Sequence, residues 1–118
     1  MSESERHPIT AERVLEVLSR HIGAAQGLHV DELVFALTAT ASNAHLERQV
    51  RTVVTALRLQ GQHICGHPRS GYYIAATPED LDATCEFLLE RAMTGLSQVA
   101  AMRRVSLPDL RGQLRLPT

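Results

Sequence analysis

His45–Ala75 reads HLERQVRTVVTALRLQGQHICGHPRSGYYIA, and the parsing of this stretch decides the fold. Leu46, Val50, Val53 and Leu57 recur at i, i+4, i+7 and i+11, a spacing that stacks them on one face of a helix over 45–60, with Val54 widening the stripe. Arg48, Arg51, Thr52, Thr55 and Arg58 fall on the opposite face. Gly61 is placed to stop the helix. Gln62-His63-Ile64-Cys65-Gly66 then reads as a strand, because a β-branched residue lies within a short run closed by glycine. A turn over His67-Pro68-Arg69-Ser70-Gly71 leads to Tyr72-Tyr73-Ile74-Ala75, the segment of strongest β-propensity in the chain. The stretch is one amphipathic helix running directly into a two-stranded hairpin over 62–75.

Upstream, residues 1–8 are polar and charged and end in Pro8, which reads as a loose arm. Thr10 has the chemistry of an N-cap, with Ile9 and Val14 spaced as a hydrophobic staple. Val14, Leu15, Val17, Leu18 and Ile22 give a first helix over 11–22, which Gly23 is placed to end. After a short loop, Leu28-His29-Val30 reads as a brief strand, and a second helix begins near Asp31. Asp31 and Glu32 suit the positive end of its dipole. Leu33, Val34 and Leu37 form its core side, with Phe35 and Ala36 flanking. The small polar segment from Thr38 to Ala44 offers Ser42 or Asn43 as cap of the third helix. It is longer than the three or four residues of a strict helix-turn-helix.

Downstream, Thr77-Pro78-Glu79-Asp80 combines a hydroxyl N-cap, proline at the first helical position and acids in the first turn. From there Leu81, Cys85, Leu88, Ala92, Leu96 and Val99 step by four, three, four, four and three, with Leu89 and Met93 beside them. This predicts a helix over 77–104, about twice the mean length. Such a helix outreaches a small core, and its usual partner is another copy of itself. Leu81, Cys85, Leu88, Leu89, Ala92, Leu96 and Val99 are therefore the expected dimerisation residues, with Cys85 expected as a buried small hydrophobe. Over 105–118, Pro108, Gly112 and Pro117 interrupt Leu107, Leu110, Leu114 and Leu116; the segment reads either as docking on the body or as an exposed partner-binding tail. The organisation is an arm (1–8), a domain (9–76), a long helix (77–104) and an irregular tail (105–118).

At 118 residues and 44% apolar content the chain suits one domain with an appendage. Aromatic content of 3% with no Trp makes the core aliphatic. The apolar runs fall short of a bilayer span, and Met1–Arg6 lacks a signal peptide's basic and apolar regions, so a cytoplasmic location is expected. In a reducing compartment Cys65 and Cys85 read as thiols outside any disulfide. Net charge is −1, which by itself argues against a strongly basic nucleic-acid binder. Its distribution is uneven. Residues 1–44 carry three Arg and six acids, net −3; residues 45–69 carry four Arg and one acid, net +3; residues 70–118 carry five Arg and six acids, net −1.

The order helix, brief strand, helix, helix and two-stranded wing resembles the winged helix-turn-helix superfamily. The residues that carry the resemblance are Leu28-His29-Val30-Asp31-Glu32-Leu33 entering the second helix, Val53-Val54-Thr55-Ala56-Leu57-Arg58-Leu59-Gln60-Gly61 closing the third, and Gly71-Tyr72-Tyr73-Ile74-Ala75 closing the wing. The likeness covers residues 10–76. The fold class expected is mostly α with a small β-wing, a winged helix-turn-helix (α-β-α-α-β-β) followed by a long C-terminal helix. The step from wing to long helix is similar to small bacterial and phage-encoded winged-helix proteins whose last helix dimerises. His29 departs from the pattern, standing where the family often has Ser or Thr as a cap.

The resemblance implies that the third helix enters the major groove of double-stranded DNA and that the wing touches the flanking backbone. The expected DNA-binding set is Arg48, Arg51, Thr52, Thr55, Arg58, His67 and Arg69. A guanidinium holds a phosphate or lies bidentate on guanine, and threonine reaches bases or phosphates from the same face. The function expected is a small dimeric transcriptional regulator, of phage or prophage type. The rival is a winged-helix protein-interaction module, an inhibitor or assembly adaptor, using the acidic row Glu79, Asp82, Glu86 and Glu90 or the C-terminal tail. His63, Cys65 and His67 alternate onto one strand face and are weak metal candidates, since three ligands on one strand rarely close a tetrahedron. No metal and no cofactor is expected. Tyr72 and Tyr73 should face opposite sides of the wing, one packed and one exposed. No phosphate-binding glycine loop, nucleophile elbow or carboxylate pair is present, so no enzyme is expected.

Overall fold

The computed structural model of the chain describes residues 9–103 and Pro108. It divides into two compact units, Met1–Thr84 and Cys85–Thr118, and one helix runs through the division. The first unit has winged-helix topology, mostly α with a two-stranded wing. Its elements are α1 (Ala11–Leu18), α2 (Val30–Thr38), α3 (Ala44–Leu59), β1 (Ile64–His67), β2 (Gly71–Ile74) and the start of α4 (Pro78–Arg103), with a single 3₁₀ turn at Ala24–Gln26 between α1 and α2.

Three helices close around an aliphatic core. Val14 and Leu18 of α1, Leu33, Val34 and Leu37 of α2, Val50, Val54 and Leu57 of α3 and Ile64 of β1 are all buried. The seam of α3 is therefore Val50-Val54-Leu57; Leu46 and Val53 are only partly buried at its margins. At about 1.5–3 kcal/mol for each fully buried aliphatic side chain, this cluster supplies most of the driving force for folding.

The helix ends follow local chemistry. Thr10 Oγ1 accepts from Arg13 N at 3.2 Å and Ile9 packs on the core, completing the staple. Of the two candidate caps of α3, Asn43 serves, its Oδ1 accepting from Leu46 N at 2.9 Å. His29 caps α2 in extended geometry, and Glu32 reaches back to His29 N at 2.9 Å. At the end of α3, Gly61 adopts φ +94°, Gly61 N donates to Arg58 O and Gln62 N donates to Leu57 O. This is a Schellman ending, and it turns the chain straight into the wing.

Two expectations upstream of the wing are corrected. The first helix stops at Leu18 rather than residue 22. The following residues are claimed by β2: Ile74 N donates to His21 O at 2.8 Å and Gly23 N to Ile74 O at 2.9 Å, so Ile22 leaves the helical stripe and stands 54% exposed. The brief strand over 28–30 is one antiparallel bridge, Leu28 with Tyr72, because His29 is already a helix cap and Val30 already helical. That bridge is tight. A Cβ on Gly71, which has φ +77°, would fall on the Leu28 carbonyl, and one on Gly27 would fall on the Ser70 carbonyl.

The hairpin pairs Ile64 with Ile74, Cys65 with Tyr73 and Gly66 with Tyr72. Tyr72 and Ile74 share the side facing the core and are partly buried against it. The expectation that one tyrosine is exposed fails, because the first turns of α4 cover the other face. Cys65 and Tyr73 are buried there, Cys65 Sγ lies 3.5 Å from Asp80 O, and the buried Thr84 hydroxyl accepts from Gly66 N at 3.3 Å. Thr77 and Pro78 start α4 as their chemistry predicts, with Asp80 N donating to Thr77 Oγ1 at 3.2 Å. Cys85 is exposed, correcting its placement as a buried hydrophobe. No helix among the described residues is long and apolar enough to cross a membrane. The tail from Val105 on lies, Pro108 apart, outside the described residues, as does the arm 1–8.

Candidate nucleic-acid interface

The seam of α3 is spent on the core, so its other side faces outward by helical geometry. Arg48, Arg51, Thr52 and Thr55 are all exposed on that side. Arg51 sits 4.0 Å from Glu47 one turn back, an exposed pair worth about 0.3–0.5 kcal/mol, which does little to hold the guanidinium away from a competing anion. Thr55 donates its hydroxyl proton to Arg51 O at 2.9 Å, which leaves the hydroxyl oxygen to act as an acceptor.

Arg58 is placed differently. Its Nε donates to Ile64 O at 2.7 Å, and its guanidinium lies over the Tyr72 ring, 5.9 Å from the centroid. The side chain ties the last turn of α3 to the base of the wing, packing beside Gly66, where a Cβ would crowd the guanidinium. Arg58 thus bridges helix and wing, whereas Arg48 and Arg51 are exposed on the outward side of α3.

At the wing tip, His67 and Arg69 are exposed. Ser70 N donates to His67 O at 3.1 Å, closing the turn, and Arg69 N donates to His67 Nδ1 at 3.1 Å. That bond puts the ring proton of neutral His67 on Nε2. The tip offers one cation and one imidazole whose Nδ1 is held by the backbone of the turn.

His63, Cys65 and His67 are not assembled as a ligand set. Cys65 is buried beneath the start of α4 while both histidines are exposed, and no cluster of three or more His, Cys, Asp or Glu suited to a metal occurs among the described residues. The buried Tyr73 hydroxyl shares the covered side with Cys65 and Thr84, and burial raises its pKa above the ordinary tyrosine value, with the nearby Cys65 and Asp80 adding to the rise.

Two further residues join the outward face of α3. His45 and Gln49 line a shallow recess of about 330 Å³ together with Ile9, Arg48, Thr52 and Val53. The spacing 45, 48, 49, 52 is itself helical, so the sequence carries the signal, in an uncharged amide at Gln49 rather than in a further arginine. A glutamine there is suited to bidentate contact with adenine. No protein-family model, curated protein or solved structure matches the chain.

Proposed function

We propose that the protein is a sequence-specific DNA-binding protein, a small dimeric transcriptional regulator that places α3 in the major groove and the wing tip against the adjoining backbone. The observation that carries the reading is the uncovered Arg48-Arg51-Thr52-Thr55 face, which coincides with the one net-positive third of an otherwise acidic chain. Dimerisation is supported by exposed Leu88 and Leu89 on α4, and it supplies the second set of arginines that useful affinity needs at physiological salt. The reading is non-enzymatic, needs no cofactor and assigns the protein to the cytoplasm; a phage or prophage origin fits its size.

The test is a fluorescence-anisotropy titration of duplex DNA across salt concentrations. A dimer holding phosphates with Arg48, Arg51 and Arg69 of each protomer gives a slope of log K against log salt of about −5. The second reading, a protein-binding inhibitor or adaptor on the same fold, is favoured by the exposure of Glu79, Asp82, Glu86 and Glu90 along α4. It predicts no salt-sensitive DNA binding at all.

A further inference from the structure

The apolar stripe of α4 beyond Thr84 has a symmetry of its own. Cys85, Leu88, Ala92, Leu96 and Val99 follow at spacings of three, four, four and three, so the stripe reads alike in both directions about Ala92. Cys85, Leu88 and Ala92 are exposed, and Leu96 and Val99 are half-buried. Charge along the helix is not symmetric. Glu79, Asp80, Asp82, Glu86 and Glu90, against Arg91, precede Ala92, whereas Arg103, four residues past Val99 and continuing the stripe, closes the other end.

We propose that this face pairs with the same face of a second copy in antiparallel orientation, with the two-fold axis at Ala92. The proposal rests on the dimeric reading above and specifies its geometry. In this register Ala92 meets Ala92, Leu88 meets Leu96 of the second copy, and Cys85 meets Val99 of the second copy. Every large apolar side chain of the stripe then has an apolar counterpart, and the small residue at the crossing point lets the helices approach closely. Arg103 comes level with Leu81 and Asp82 of the second copy, so the basic end of each helix lies against the acidic end of the other. A parallel pair would instead set Arg103, which lies on the stripe, against Arg103 of the second copy, which like-charge repulsion opposes.

The test uses the exposed thiol. Molar mass is measured first by light scattering, and the full-length protein is then oxidised under native conditions. In the antiparallel register the two Cys85 residues lie 14 positions apart along the helices, about 21 Å, so wild type forms no disulfide-linked dimer. Val99→Cys forms one through Cys85, and adding Cys85→Ser to that variant abolishes it. A covalent wild-type dimer through Cys85 would show a parallel pair and overturn the proposal. Dimeric mass with no cross-link in Val99→Cys overturns the register about Ala92 while leaving the dimer standing. Monomeric mass at every concentration removes the dimeric reading and this proposal together.

Discussion

Arg48 and Arg58 sit on the same helix and serve different ends. Arg58 is held by the Ile64 carbonyl and the Tyr72 ring, so its truncation leaves a carbonyl unpaired and a ring face uncovered. Arg58→Ala is expected to lower stability by about 1–2 kcal/mol in urea unfolding, whereas Arg48→Ala, with an exposed side chain, stays within about 0.5 kcal/mol of wild type. Tyr73 supplies a pH signature. Its phenol is neutral in both folded and unfolded states below pH about 10; above that the unfolded chain ionises first, because the folded-state pKa is raised. The stabilising contribution of this phenol is therefore fully present below pH about 10 and is lost as pH climbs through the raised folded value. Urea midpoints for Tyr73→Phe should show a shallower decline than wild type over that range. The tyrosine's covered position was not legible in the sequence, where strand alternation fixed only that the two tyrosines face opposite ways. What lies over the second face depends on the angle at which α4 leaves the wing, and no local spacing encodes that angle.

At the scale of elements, the signals with a single strong cause read correctly. Thr77-Pro78, Asn43 and Gly61 each satisfy backbone groups that no alternative partner competes for, and α4, α3 and the wing appear where those residues put them. The end of α1 misread because two demands compete there. Apolar spacing continued the helix to Ile22, while β2 needed hydrogen-bond partners on its open edge and took His21 and Gly23. A long-range pairing won over a local period, and such pairings are invisible to a window of neighbouring residues. Leu28 meets Tyr72 on the same edge, and Gly71 makes the crossing possible. Gly71→Ala forces both a left-handed backbone and a Cβ onto the Leu28 carbonyl. Thermal unfolding should show it destabilised by at least about 2 kcal/mol, and hydrogen exchange at Leu28 and Tyr72 should rise with it.

For the whole molecule, the separation of charge is the feature that joins sequence to proposed function. The helix-and-wing segment carries net +3 while the chain as a whole carries −1, and the fold exposes the arginines of α3 along one face and the acids along α4. The exposure of Arg48, Arg51, Thr52 and Thr55 was legible, since helical period alone separates the buried seam from the outward face. The contacts of Arg58 with Ile64 O and the Tyr72 ring were not, because they come from a hairpin folding back beside it. The central claim is that Arg48 and Arg51 of α3 bind duplex DNA. It is tested most directly by comparing wild type with Arg48→Ala/Arg51→Ala in an anisotropy titration at low salt, with unfolding curves confirming equal stability. The account predicts that the variant folds normally, binds at least about tenfold more weakly and shows a flatter salt dependence. Equal binding by both proteins, or no binding by wild type even at low salt, would contradict it.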